Sequence, residues 1–334
     1  MGLARSTLLS GAEPLATMSM DFVVLLPGQG SQKVGMGKDL YDTFPVAREA
    51  FENVDDAVGA SLAALAFNGP SDELMRTLNA QPALLAHSAA VWAVVRDALG
   101  PSLRAAAGHS LGEFSAHYIA GTFELAAAAR VVRTRGSLMY DQGIARPGAM
   151  AAILGTLTTS IDDICAHASA VSGLVVPANY NSAEQTVISG ESAGVEHAMT
   201  LAKEAGAKRC LALPVSGAFH SPLMAAAAPG LDAALAAAQM RDPRTPVVAN
   251  VNAEPVTQAA TARRLLVEQL TAPVQWMRVM KTLLRMHPAA TFVEIGTGNV
   301  LTGLARRIAP DVKAVACGTV PEVEKLLELA AAHV

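Results

Sequence analysis

The stretch AAGHSLGEF, residues 106–114, decides how this chain is read. A run of small residues leads into Gly108-His109-Ser110-Leu111-Gly112, a serine between two glycines at the spacing G-x-S-x-G. The small run SLRAAAG reads as a short strand and LGEFSAHYIAG as a helix, so the serine stands on a turn between them. Such a turn pushes the hydroxyl out at the top of a sheet, and the helix that follows aims its unpaired N–H groups at the site. Ser110 is therefore a candidate nucleophile, with the main-chain N–H of Leu111 placed to hold an oxyanion. The same spacing occurs in ordinary Gly- and Ser-containing turns, so a plain turn serine is the alternative.

Outward from Ser110, the same alternation recurs. DFVVLLPGQGSQ (21–32) is a buried strand ending in a Gly-rich turn, and two helical patterns separate it from SLRAAAG. Strands alternating with helices predict a parallel sheet covered on both faces. The pattern changes near Pro147. GAMAAILG, SIDDICAHASA, LVVPANYN, QTVISG, SAGVEHAMTLAKEAG and AKRCLALP read as β-α-β-β-α-β, a ferredoxin-like split unit of about 65 residues. After Pro214 the chain returns to helices, TPVVANV, a further helix, ATFVEIGTG, a helix, VKAVACG and a C-terminal helix. The expected architecture is an α/β protein with a hydrolase-like parallel-sheet core over 21–146 and 215–334 and an inserted ferredoxin-like subdomain over 147–214.

The bulk composition suits that plan. The chain has 334 residues, enough for a large core and a smaller one. Hydrophobic residues make up 51%, much of it alanine, and aromatics only 4%, which predicts a lean, helix-rich core. A net charge of -4 gives no reason to expect nucleic acid as a partner. Cys165, Cys210 and Cys317 lie far apart without a C-x-x-C pair. That argues against a disulfide framework or a zinc site and points to a reducing cytoplasm. No apolar run reaches the length of a membrane span. Residues 1–20 lack the order of a signal peptide. They read as a disordered extension or an over-long start, with a transit peptide as the alternative.

A serine nucleophile needs a base. Of the eight histidines, His109 adjoins Ser110, but a sharp turn points its ring the other way. His87 and His117 lie in helical patterns, His167 and His197 on the small unit's helices, His287 at a helix end and His333 in the tail. His220 differs. It sits in PVSGAFHSPLM, a loop of small residues that opens a helix just after the chain returns to the large unit. Such a loop can carry an imidazole to the sheet edge where Ser110 sits. A structural role for His220 stays open. No Asp or Glu presents itself as a third member, Asp232 and Asp242 carrying no signal of their own, which weakens an ordinary Ser-His-Asp hydrolase.

Eight blocks now stand in order: LLPGQGSQKVGMGKDLY, GHSLGEFSA, RTRGSLM, GAMAAILG, ANYNSAEQTVISG, LPVSGAFHSPLM, PVQW and VEIGTGNVLTGLARRI. Together they resemble the malonyl-CoA:acyl carrier protein transacylase family, which includes acyltransferase domains of polyketide synthases, over roughly residues 21–315. The resemblance implies a Ser-His dyad, with Ser110 carrying the acyl group and His220 as base and then acid. It implies that Gln29 supplies a second oxyanion N–H beside Leu111, and that Gln275, in PVQW, orients His220 through its main-chain carbonyl. It also implies that Arg135, in RTRG, pairs with the free carboxylate of a malonyl group. A planar guanidinium grips a carboxylate with two parallel hydrogen bonds, which would select a dicarboxylic thioester. Neighbouring Arg133 reads as a surface residue. Phe219 would leave little room for a branched α-carbon and so favour malonyl over methylmalonyl. Met139, Gln81 and Asn179 complete the expected substrate contacts. Ala80 and Tyr140 depart from the family's usual threonine and glutamine, which leaves fine substrate preference open.

The reaction this implies is a ping-pong transfer of malonyl from malonyl-CoA to the phosphopantetheine thiol of acyl carrier protein, for fatty acid biosynthesis, with no metal and no redox cofactor. Carrier proteins are acidic, and Lys203, Lys208 and Arg209 on the small unit are candidates to steer them. The expected state is a monomer. The competing readings are a serine acyl-hydrolase, a transacylase serving a polyketide synthase or malonate decarboxylase, and a non-catalytic carrier-binding module.

Overall fold

A computed structural model of the chain describes residues 20–215 and 217–332. The segment 1–19, most of the expected N-terminal extension, lies outside the described residues, as does His333. The strands among the described residues are β1 (Phe22–Leu26), β2 (Leu103–Gly108), β3 (Ala149–Leu154), β4 (Val175–Ser182), β5 (Gln185–Gly190), β6 (Arg209–Ala212), β7 (Val247–Val248), β8 (Pro255–Val256), β9 (Thr291–Ile295) and β10 (Ala314–Cys317). They form two sheets, ordered β10-β9-β1-β2-β7-β8 and β4-β5-β3-β6.

In the large sheet every pairing is parallel except β7 with β8. β1 explains why FVVLL shows no alternation. All five residues are buried because both faces are covered, as parallel sheets require. Phe22, Val24 and Leu26 face one apolar cluster. Val23 and Leu25 face another, with Ala105, Ala107 and Trp276. The β8 strand is absent from the sequence reading. Two residues are too few for a periodic pattern, and Pro255, which has no N–H to donate, suits an edge.

The small sheet is antiparallel throughout, and helices Ile161–Ser172 and Ser192–Glu204 pack on it around a third apolar cluster. Its edge meets the large unit at the site. Asn179 pairs with Val274 in a parallel bridge, flanked by Tyr180 N–H to Val274 O at 2.9 Å and Val274 N–H to Ala178 O at 2.8 Å.

Two glycines set the distances on which the site depends. A Cβ on Gly112 would overlap the carbonyl oxygen of Leu26, so helix Leu111–Ile119 can start against β1 only with glycine there. A Cβ on Gly136 would come within 2.9 Å of the Leu78 Cα and the Thr77 carbonyl, so helices Thr77–Leu99 and Leu125–Ala145 touch backbone to backbone beside Arg135. Gly112→Ala is expected to lower stability by more than about 2 kcal/mol, because the atom it meets is backbone and cannot swing aside. Urea unfolding with an unchanged midpoint would contradict this packing.

Candidate active site

β2 ends at Gly108, and Ser110 takes φ 52°, ψ -107°, a conformation that L-residues rarely adopt. Asn250, just past β7, holds this turn from both ends. Its side-chain oxygen accepts the Ser110 N–H at 2.7 Å, and its amide donates to the Gly108 carbonyl at 2.7 Å. The strain is thus offset by two hydrogen bonds from one buried amide. His109 points away from Ser110. Its Nε2 lies 2.8 Å from the Asn181 side-chain oxygen, and its ring tilts over Trp276.

His220 arrives on the loop after β6, also with a positive φ of 56°. Its Nε2 lies 2.7 Å from Ser110 Oγ, and its Nδ1 lies 2.8 Å from the main-chain oxygen of Gln269. A carbonyl can only accept, so the Nδ1 carries the proton and Nε2 is free to take one from serine. Here the structure corrects the expectation for Gln275. Gln275 caps helix Trp276–Met286, and its N–H donates to the Asn250 carbonyl at 2.9 Å. Gln269 orients His220 instead. It caps the C-terminal end of helix Ala259–Glu268, where carbonyls run out of intrahelical partners and the helix dipole is negative. A helix end thus takes the position of a triad acid.

Burial and the positive charge of Arg135 push His220 down to about 3, while the Gln269 carbonyl pulls the other way. The imidazole is therefore neutral, and competent as a base, throughout the neutral range.

Arg135 is 1% exposed. Its guanidinium donates to Gln81 Oε1 at 2.7 Å, Gln269 Oε1 at 2.8 Å and Ser110 Oγ at 3.1 Å, and lies over the Phe114 ring at 5.2 Å. Burial lowers its pKa to about 10, so it stays cationic at neutral pH. No carboxylate lies within ion-pair distance of it among the described residues. Nε is buried without a partner. A buried cation held only by neutral amides and a hydroxyl favours an incoming anion.

These groups line a cavity of about 410 Å³. Met139, Phe219, Asn179 and Gln81 line it as well, and Gln81 Nε2 lies 3.4 Å from the Met139 sulfur. Gln29 and Leu111 are in its wall, and neither main-chain N–H has a partner among the described residues. Lys33, which the sequence reading did not single out, is exposed at the same cavity. Lys203, Lys208 and Arg209 do not line it. They are exposed on helix Ser192–Glu204 and the start of the β6 edge strand. A wider groove of about 590 Å³ elsewhere, beside Trp92 and Tyr118, holds no nucleophile–base pair.

Arg133 is partly buried rather than free on the surface, donating to Leu78 O at 2.7 Å and Asn79 Oδ1 at 2.8 Å. The residues that sequence reasoning missed are Asn250, Gln269 and Glu113. A polar side chain directly after the apolar run VVA, within TPVVANV, was the one available signal for Asn250. Nothing local marks Gln269. No group of three or more His, Cys, Asp or Glu side chains suited to a metal is present among the described residues.

A nucleophile on a strand–helix elbow, a histidine on it and a buried guanidinium aimed at the same hydroxyl define an acyl-transferring serine enzyme. The chain belongs to the acyl transferase domain family, whose model matches residues 23–325. It is 41% identical over 304 residues to the malonyl CoA-acyl carrier protein transacylase of Bacillus subtilis (strain 168), covering 91% of this chain and 95% of that protein. The crystal structure of an acyl-carrier-protein S-malonyltransferase from Bartonella henselae superposes with a TM-score of 0.88 at 42% identity, covering 93% of this chain and 100% of that one. A malonyl-transacylase solved in complex with a type II polyketide acyl-carrier protein superposes with a TM-score of 0.87 at 40% identity, covering 92% and 99%.

Proposed function

We propose that this enzyme moves a malonyl group from malonyl-CoA to the phosphopantetheine thiol of acyl carrier protein, through a malonyl ester on Ser110, in fatty acid biosynthesis. One observation carries the reading: Ser110 Oγ receives both His220 Nε2 at 2.7 Å and the Arg135 guanidinium at 3.1 Å. The atom that would attack a thioester thus stands beside the group that would hold a carboxylate two bonds away from it.

In the first half-reaction His220 Nε2 takes the Ser110 proton as Oγ bonds to the thioester carbonyl carbon. The N–H groups of Gln29 and Leu111 hold the oxyanion. The C–S bond breaks, and coenzyme A leaves with the proton from His220. The second half runs in reverse: His220 takes the proton of the carrier thiol, sulfur bonds to the acyl carbon, the ester C–O bond breaks, and Ser110 Oγ leaves with the proton from His220. Arg135 fixes the acyl group so that its carbonyl stays in the oxyanion hole. Gln81, Met139, Asn179 and Phe219 shape the remaining space. Each step as proposed uses only this chain's side chains and main-chain N–H groups.

Intact-protein mass spectrometry after brief incubation with malonyl-CoA tests the reading. A malonyl-sized adduct is expected, with far less from acetyl-CoA or methylmalonyl-CoA. Release of free coenzyme A without any adduct would instead establish a hydrolase.

The acidic carrier protein is proposed to meet Lys203, Lys208 and Arg209. Reversing all three charges is expected to raise KM for the carrier several-fold, more at low salt, and to leave ester formation from malonyl-CoA unchanged. An unaltered KM would move the docking face elsewhere. The reading takes the enzyme to act as a monomer in the cytoplasm, in keeping with three unpaired cysteines.

A further inference from the structure

Glu113 is fully buried, one turn into the helix that Ser110 opens, and it touches no position a substrate could reach in the cavity. Its Oε2 accepts two hydrogen bonds, from Gln269 Nε2 at 2.6 Å and from the Asn250 N–H at 3.1 Å. Both donors belong to residues already at work in the site. We infer that Glu113 is the positioning residue of this active site: through Gln269 and Asn250, its carboxylate places the nucleophile, the base and the guanidinium together.

The path to each group is one residue long. Gln269 presents its main-chain carbonyl to His220 and its side-chain oxygen to Arg135. That side-chain amide has two possible orientations. Flipped, it would set N–H against the Arg135 N–H donors. Glu113 and the Ser110 carbonyl, the latter at 3.0 Å, hold the nitrogen on their side and so keep the oxygen toward Arg135. Asn250, anchored by its own N–H on Glu113, braces Ser110 and Gly108 through its side chain. The grip is rigid because the Glu113 N–H itself bonds to the Ser110 carbonyl at 3.1 Å.

Charge adds a second consequence. Glu113 and Arg135 are linked through the Gln269 side-chain amide. Its Oε1 is buried without a partner. Burial raises its pKa to about 7, against the pull of Gln269, Asn250 and Arg135. The charged group that bears on Glu113 and on the dyad is Arg135, on helix Leu125–Ala145, while His109 and His220 are imidazoles whose pKa burial lowers. An ionised carboxylate makes the shorter, stronger bond to an amide N–H. Ester formation should therefore rise with pH through about 7, in a step that belongs to Glu113 because His220 titrates far below it.

The inference rests on the malonyl-transfer reading, and its test separates the two. Glu113→Gln keeps the shape and can keep both acceptor bonds through one oxygen, but removes the charge. Glu113→Leu orphans both donors. Single-turnover ester formation from malonyl-CoA and acetyl-CoA would be followed from about pH 5.5 to 9, with thermal melts of each protein. In Glu113→Leu the malonyl rate is expected to fall by about 100-fold, with a weakened preference for malonyl over acetyl. In Glu113→Gln the fall stays under about tenfold and the step near neutrality disappears. Folded variants that keep the wild-type rate, preference and pH profile would overturn the inference. If Glu113→Leu does not fold, a Glu113→Gln profile that retains the step overturns it equally. A wild-type protein that forms no malonyl ester would instead refute the transfer reading itself.

Discussion

Ser110→Ala forms no ester adduct with malonyl-CoA, and malonyl transfer falls by about 10⁴-fold or more. The expectation follows from the geometry, not from the motif alone. Ser110 Oγ meets both His220 Nε2 and Arg135. Alanine leaves the base without a proton to take and the carbonyl without a nucleophile. The elbow should survive, because its braces are the main-chain N–H of Ser110 to Asn250 and the Gly108 carbonyl, neither of which uses the hydroxyl. His220→Ala should cost about as much, and the double variant little more, since the two residues act as a unit. Mass spectrometry for the adduct and a coupled assay for coenzyme A release would both read this out. A Ser110→Ala protein that still acquires a malonyl adduct would place the nucleophile elsewhere.

The second large effect belongs to Arg135. Arg135→Ala is expected to slow malonyl loading by about 10²- to 10³-fold, the cost of truncating one partner of a buried, hydrogen-bonded charge pair. Acetyl loading should change far less, so the preference between the two thioesters narrows or inverts. Lysine should not rescue it. The guanidinium serves Gln81, Gln269 and Ser110 from a planar fork, and a single ammonium cannot reproduce that geometry. The protonation of the site should move too. Arg135 lowers the pKa of both His220 and Glu113, so its removal raises both. The direction for Glu113 is toward the neutral acid at a given pH, which weakens the grip on Gln269. Parallel loading kinetics with malonyl-CoA and acetyl-CoA decide the matter. Equal losses for the two would mean that Arg135 supports the fold and does not select the acyl group.

Some of this was legible in the residues. G-x-S-x-G between a run of small residues and a helical pattern marks an elbow because its causes are local: two glycines, a tight turn and a helix start within nine residues. The small antiparallel unit was readable from strand and helix periodicities in unbroken order. His220 stood out by its loop and by elimination. Other features were not legible. The two-residue strand β8 is too short to carry a period, and the orienting carbonyl was assigned to Gln275 although Gln269 supplies it. A main-chain oxygen has no residue type, so no composition or spacing can point to it. Only the end of helix Ala259–Glu268 beside His220 does so.

By itself, then, the sequence determined the alternation that builds the two sheets, the turn that exposes Ser110, and the kinds of side chain available for acyl transfer. These depend on backbone preferences and on periodicities a few residues long. The tertiary structure alone decided which groups meet. Ser110 and His220 are 110 residues apart, Asn250 and Glu113 137, and Gln269 and Glu113 156. Their contacts depend on where whole strands and helices pack, and that follows from burying β1 and β2 between two apolar layers, not from any pattern near the residues themselves.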